Sequence, residues 1–469
     1  MIDGLRPYRD MKPGGLPWLG DIPEHWDMRR NGRLFGPRRE TGFPDLPVLE
    51  VSLRSGVRVR DFENGGRKQE IADRSKYQRA ARGDIAYNMM RMWQGAVGIA
   101  PVDGLVSPAY VVARPFEETH AGYYAYLFRT TVYMHEVDTF SRGIVPDRNR
   151  LYWESFKQMP SVYPPLGEQR LIVRFLDWHV GQTAKLIRAK KKIIALLDEQ
   201  KQVIIHHAIT RGIDPNAKLK PSGAPWLGDV PEGWTVLPLK RVASFKSGAG
   251  FPVSEQGGTD REIPFLKVSD MTSFGNEKYV ASWNNSISRE TAKTLGAHVF
   301  PQNAIIFPKV GGAMLTNKRR ILKQDSCIDN NVMGCIVRTG DPEFLFIVLQ
   351  RVDLGKFSKP GPVPAIGEGE IGEIRVACPP VGEQRKIVEW LSTETSAWDR
   401  SANVVASEIA LIEEFRTRLI ADVVTGKLDV RTAAAGLPEI TELEPTDDLA
   451  ETDDLDEVID VAESEEVAA

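Results

Sequence analysis

Cysteine is scarce in this 469-residue chain, and long apolar runs are missing. Three cysteines, Cys327, Cys335 and Cys378, are too few and too badly spaced for a disulfide framework or a zinc site. Cys327 and Cys335 read as small buried apolar residues. No run of about 18 apolar residues occurs, so no membrane span is expected. The opening stretch, MIDGLRPYRD, has no apolar segment of the kind a secretory signal needs. A cytoplasmic protein is the simplest account. There is no phosphate-binding loop of the form GxxxxGK followed by Ser or Thr. Nor is there an Asn-Pro-Pro-aromatic sequence, the base-pocket motif of adenine methyltransferases. No cofactor and no metal are expected.

Basic residues are missing from one end. From Thr432 to Ala469 there are fourteen Asp or Glu and no Lys or Arg. The stretch is low in aromatics and rich in Ala, Thr and Pro, so 432–469 reads as a disordered acidic tail. It is either a solvated extension or a mimic of nucleic acid. The formal net charge of −4 therefore misleads. The remaining 431 residues carry 60 basic and 50 acidic groups, a net +10, which points weakly to a polyanion partner.

What the chain does have is repetition. Residues 164–214 open PPLGEQRLIVRFLD and close ITRGID; residues 379–431 open PPVGEQRKIVEWLS and contain VVTGKLD. The offset is 215 residues from Pro164/Pro379 to Thr210/Thr425, without a gap. Each copy reads as a long helix, roughly 60 Å at 1.5 Å per residue. Glu168 and Glu383 fall in the first turn, where a carboxylate suits the positive end of the helix dipole. The seam steps by three and four: Leu176, Val180, Thr183, Ile187, Lys190, Ile194, Leu197, Lys201, Ile204 and Ala208 in the first copy. The second has Leu391, Thr395, Trp398, Ala402, Val405, Ile409, Ile412, Arg416, Leu419 and Val423. This is a coiled-coil pattern. A second repeat is short. Pro17–Trp26 (PWLGDIPEHW) and Pro225–Trp234 (PWLGDVPEGW) agree at eight of ten positions, and their Trp, Leu and Pro content predicts a rigid clasp.

Between clasp and helix the two halves diverge. Both contain short β-like runs broken by Gly, Pro, Asn and Asp: 47–53, 83–89, 107–115, 263–270, 303–312 and 333–339. Each also has a helical stretch, Tyr123–Tyr133 and Pro342–Val352. The expected fold is α+β, with two β-rich globular domains joined by two long antiparallel coiled-coil helices in a pseudo-two-fold arrangement. The expected boundaries are 1–14 for an N-terminal extension, 15–163 for the first domain and 164–214 for the first helix. Linker, clasp and second domain take 215–378, and the second helix 379–431.

Two PP-x-GEQR-x-IV helices, two PWLGD clasps and two divergent domains of this size resemble the specificity (S) subunit of Type I restriction–modification enzymes. The resemblance covers residues 15–431. It implies that the divergent domains are target recognition domains, each reading one half of a split double-stranded DNA sequence. It implies that the helices pair as a spacer and carry two methyltransferase (M) subunits, and that restriction (R) subunits join when present. It also implies that the chain has no catalytic activity of its own, and a role in phage defence.

Elementary geometry agrees. Antiparallel helices, each preceded by its own domain, place a two-fold axis across the coil, and such a protein can address two half-sites. Because the domains differ, the target should be bipartite and asymmetric, with a spacer set by helix length. Base-reading groups belong on loops, where Arg and Lys bond G, and Asn and Gln bond A. In the first domain the candidates are Arg54, Arg58 and Arg60; Asn88, Arg91, Trp93 and Gln94; and Arg142, Arg148 and Asn149. In the second they are Lys246 and Ser247; Lys309, Thr316, Asn317, Lys318, Arg319 and Arg320; and Lys359.

Other features have plainer readings. His206–His207 face solvent or the partner helix rather than a metal. Lys190–Lys192 are a solvated face or a phosphate contact, and Lys190 can fix coil register. Apolar residues off the seam (Ile172, Val173, Phe175, Trp178, Leu186, Ile193, Val203, Ile387, Val388, Trp390, Val404, Leu411) ask for a further partner, some from their own domain and the rest from the methyltransferase. Two alternatives stay open: a nuclease or methyltransferase acting alone, and a non-DNA coiled-coil scaffold spacing two protein- or glycan-binding modules.

Overall fold

A computed structural model describes residues 5–53, 55–60, 74–143, 149–358 and 363–438. The acidic stretch beyond 438 lies outside the described residues. The chain divides into two compact units. One is Met1–Lys192 with Val405–Ala469; the other is Ile193–Val404. Each holds one β-rich region, half of each long helix and its own core.

The first long helix runs Leu166–Arg211 and the second Val381–Val424. Pro164–Pro165 and Pro379–Pro380 stop the strands before them. In both helices every seam position is buried or half-buried, while most other positions of the second helix are exposed. The halves pack antiparallel in each unit. In the first, Lys190 Nζ reaches Glu408 at 2.7 Å; in the second, Lys201 Nζ reaches Asp399 at 2.5 Å. Both lysines occupy seam positions, so the coil has polar register pins rather than an unbroken apolar seam.

Each clasp sits where one long helix begins and the other ends. In the first unit Leu19, Ile22 and Trp26 share a core with Ile172, Phe175, Leu176, Leu419, Val423 and Val424. In the second, Leu227, Val230 and Trp234 share one with Ile387, Leu391, Ala208 and Ile209. The repeat begins earlier than Pro17. Met11–Pro13 pairs with Asp21–Pro23, as Leu219–Pro221 pairs with Asp229–Pro231. Asp27–Arg30 then pairs with Pro160–Tyr163, as Thr235–Pro238 pairs with Arg375–Cys378, so each clasp is tied to the strand that feeds its helix.

The GEQR motif explains itself at this junction. Gln169 Nε2 donates to the Pro164 carbonyl at 2.8 Å, and its Oε1 accepts from the His120 N–H at 2.8 Å. Gln384 does the same with the Pro379 carbonyl (2.8 Å) and the Asp341 N–H (2.7 Å). His120 and Asp341 are the N-caps of the helices Ala121–Phe128 and Pro342–Arg351. One amide thus stitches a helix of the β-rich region to the start of a long helix. Gln384→Ala leaves a half-buried N–H and a buried carbonyl without their partner. The expected loss is about 2–3 kcal/mol, read as a lowered urea midpoint at unchanged slope.

The central sheets share one topology. In the first unit Phe35–Arg38 (β1), Ile85–Asn88 (β2), Val97–Ile99 (β3) and Tyr110–Pro115 (β4) lie in the order β1-β4-β2-β3. In the second, Ala243–Ser247 (β5), Tyr279–Val280 (β6), Ile305–Pro308 (β7), Arg320–Leu322 (β8) and Val332–Val337 (β9) lie in the order β5-β9-β7-β8-β6. Strand β6 adds to an arrangement the halves otherwise share without shared sequence. The six β-like runs of the sequence all contain strands, and Cys327 and Cys335 are buried free thiols. No described helix is long and apolar enough to cross a membrane.

Candidate nucleic-acid interface

Strand direction gathers the candidates of the second unit. Strands β7 and β9 are antiparallel with Pro308 opposite Val332, and β5 and β9 are antiparallel with Ser247 opposite Met333. The end of β5, the start of β9, the end of β7 and the start of β8 therefore share one end of the sheet. Lys246 and Ser247 close β5. Residues 309–319 join β7 to β8, and Arg320 opens β8. Lys309 Nζ donates to Ser247 Oγ at 2.8 Å across 62 residues of sequence. Lys246, Lys309 and Lys318 make no ion pair among the described residues, and the Glu368 carboxylate beside them accepts from the Ser247 N–H at 2.8 Å.

Two members of that group serve the fold. Arg319 is 1% exposed. Its guanidinium lies 5.0 Å over the Phe307 ring and donates to the Lys318 carbonyl at 3.0 Å and to the Val352 carbonyl and Asn317 Oδ1, both at 3.3 Å. Burial pulls its pKa down to about 10. Asn317 adopts φ +52°, and its Oδ1 also accepts from the Leu354 N–H at 3.4 Å. Together they brace the 309–320 connection, while Lys318 and exposed Thr316 lie on its outside. Arg320 is half-buried, and its Nη1 donates to the Arg319 carbonyl at 2.7 Å.

The first unit uses the equivalent place. Residues 89–96 join β2 to β3 as 309–319 join β7 to β8, and β4 begins opposite Asn88. The Leu49–Ser52/Gly56–Val59 hairpin packs here. Arg129 Nη2 donates to the Leu53 carbonyl at 2.8 Å and Nη1 to the Val97 carbonyl at 3.1 Å. The Leu151 N–H donates to the Met89 carbonyl at 2.8 Å and brings Arg150 here, with Arg142 paired to it through two backbone hydrogen bonds of 3.0 Å. Three candidate stretches far apart in sequence thus meet at one sheet end.

Individual side chains differ in what they offer. Asn88 is 1% exposed and accepts from the Met90 N–H at 2.9 Å, so it shapes the turn. Trp93 is half-buried and spends its indole N–H on the Met90 carbonyl. Arg58 pairs with Glu50, and Arg60 lies 4.0 Å from the same carboxylate. Asn149 donates to Asp138 at 3.0 Å. Gln94 and Arg142 are exposed, and Arg91 is half-buried. Arg54, Arg148 and Lys359 lie outside the described residues.

No protein-family model matches the chain. The type I restriction enzyme MjaVIII specificity subunit of Methanocaldococcus jannaschii is 23% identical over 291 residues, 59% of this chain and 64% of that protein. The match thus spans just under two thirds of the relative's length. A solved chain from work on complex assembly and conformational transition of the type I R-M system superposes with a TM-score of 0.64 at 15% identity. It covers 86% of this chain and 98% of its own. Over those 291 residues the chain is similar in sequence to a type I specificity subunit. The HsdS subunit from Thermoanaerobacter tengcongensis also matches, at a TM-score of 0.45 and 16% identity over 87% of this chain and 98% of that one.

Sequence reasoning missed Asn331 and Lys278, which the topology adds to the same sheet end. Neither stands in a basic cluster, and only strand pairing reveals their place. Among the described residues, no group of three or more His, Cys, Asp or Glu could hold a metal ion.

Proposed function

We propose that this chain is the DNA-reading subunit of a type I restriction–modification system, acting in the cytoplasm and performing no chemistry itself. The observation that carries the reading is the shared sheet end. Two units of one topology place different polar and basic side chains at the same position, as two half-sites of different sequence require. The target is therefore bipartite and asymmetric double-stranded DNA. Gln94, Arg142 and Arg91 are the leading candidates in the first unit, and Lys246, Lys309, Lys318 and Arg320 in the second. The domain limits given above follow from the same reading.

The exposed apolar residues of the helices fit methyltransferase partners. Ile172, Phe175 and Ile387 are taken up by the unit cores. Leu186, Leu411 and Phe415 stay exposed in the first unit, and Ile193, Leu196, Val203, Trp390 and Val404 in the second. A set on each unit supports two M subunits, with R subunits joining that assembly.

Methylome sequencing of the host, with and without deletion of this gene alone, tests the proposal. A split, asymmetric adenine-methylated motif should vanish on deletion. Unchanged methylation would overturn the reading.

A further inference from the structure

The second recognition region holds one aromatic ring entirely in solvent. Phe274 is 98% exposed, at the tip of the turn Ser273–Asn276. The turn beneath it is firmly built. Buried Asn276 donates to the Asp270 and Ser282 carbonyls, both at 2.8 Å, and accepts from the Ala281 and Ser282 N–H groups at 2.7 and 3.1 Å. Buried Asp270 accepts from the Lys267 N–H at 2.7 Å and from Asn284 Nδ2 at 2.9 Å. Gly275 takes φ +86°, and its N–H donates to Glu277 at 3.0 Å. A ring on such a base is held out rather than left loose.

Its direction follows from strand pairing. The turn feeds β6, which runs parallel to β8 with Tyr279 opposite Ile321. Parallel neighbours enter a sheet from the same end. Glu277 and Lys278 therefore lie beside the start of β8, where the Ile321 N–H donates to the Lys278 carbonyl at 2.8 Å, and the turn that carries Phe274 leads into the sheet at the end that carries Lys246, Lys309 and Lys318. The acidic groups nearby have partners of their own. Glu277 interacts with Arg320, and Glu343 takes Lys278 at 3.0 Å together with the Tyr279 hydroxyl.

We propose that Phe274 stacks into the DNA at the half-site read by the second unit, wedging one base step open while the neighbouring cations hold phosphates. This rests on the DNA-reading proposal above. Apolar wedges of this kind unstack a step and kink the duplex. Pyrimidine–purine steps yield most easily, so the ring would add sequence preference through deformability rather than hydrogen bonding.

The test uses the full chain assembled with its co-encoded methyltransferase. The probe is a duplex bearing the motif found by methylome sequencing, with 2-aminopurine placed at successive positions of the second half-site. Binding should raise fluorescence at one step. Phe274→Ala should abolish that rise and weaken binding roughly tenfold or more, and Phe274→Trp should keep both. Lys309→Ala should weaken binding and leave the rise in the bound complex. If Phe274→Ala matches wild type while Lys309→Ala binds more weakly, the wedge is overturned and DNA reading stands. If neither substitution changes binding, both ideas fall. If Phe274→Ala instead blocks assembly with the methyltransferase on size exclusion, the ring docks protein and the proposal is overturned.

Discussion

Gly248→Ala should cripple the second unit while Gly250→Ala, two residues on, leaves it unchanged. A Cβ on Gly248 would lie 2.2 Å from the carbonyl oxygens of both Ile328 and Asp329. These are backbone atoms, and the segment is pinned from both sides. The Gly248 N–H donates to the Val332 carbonyl at 3.1 Å, and the Ala249 N–H to the Ile328 carbonyl at 3.0 Å. Relief requires the strand to move, which places the cost at or above the upper end of overpacking, about 3 kcal/mol. For a unit of this size that lowers Tm by roughly 6–12 °C. A Cβ on Gly250 meets nothing within 4 Å. Calorimetry of the two variants decides the matter. Equal melting would mean that β5 and its connection are not held as described. Because Gly248 adjoins Ser247, the proposed DNA binding should weaken with stability.

The second large effect lies in the clasps. Trp26→Ala and Trp234→Ala should each cost about 3–5 kcal/mol, the usual range for emptying a buried aromatic site, because both rings are buried where two long helices meet. The conservative variants should then separate the twins. Trp234 Nε1 donates to Glu383 Oε1 at 3.0 Å. Trp26 Nε1 is buried with no partner among the described residues, and the matching carboxylate, Glu168, is served by the Tyr8 hydroxyl and by His25 Nε2 at 2.7 Å. Trp234→Phe therefore removes a bond to a carboxylate that Trp26→Phe does not, an extra loss of about 1.5–3 kcal/mol. Guanidinium unfolding of the four variants checks this, and equal Phe variants would contradict the assigned hydrogen bonds.

These contrasts locate what a linear reading can reach. The seam was legible because burial on a helix follows a period of three and four, and the observed burial keeps that period from Leu176 to Ala208 and from Leu391 to Val423. The clasps were legible because eight identical positions recur. Their hydrogen bonds were not, since Glu168 draws one donor from Tyr8, 160 residues away. The lysine at 190 was visible as an exception, but its partner Glu408, like Asp399 opposite Lys201, comes from the other helix.

Candidate interface residues divided in the same way. Composition marked 309–320 as basic, yet could not tell Arg319, buried over the Phe307 ring, from Lys318 beside it. Residue type sets what a side chain can bond, whereas burial decides whether the group is free to do so.

Sequence alone determined the two-fold repetition, the long helices with their seam, and the divergence of the two β-rich regions. Each is written in local periodicity or in identity between copies, which one chain carries in full. Tertiary structure alone decided that unlike regions share one sheet topology and that residues 246, 309 and 318 meet at one end of it. It also put the Phe274 turn there. Those relations arise from strand pairing between distant segments, and no local pattern of residues specifies which strands will be neighbours.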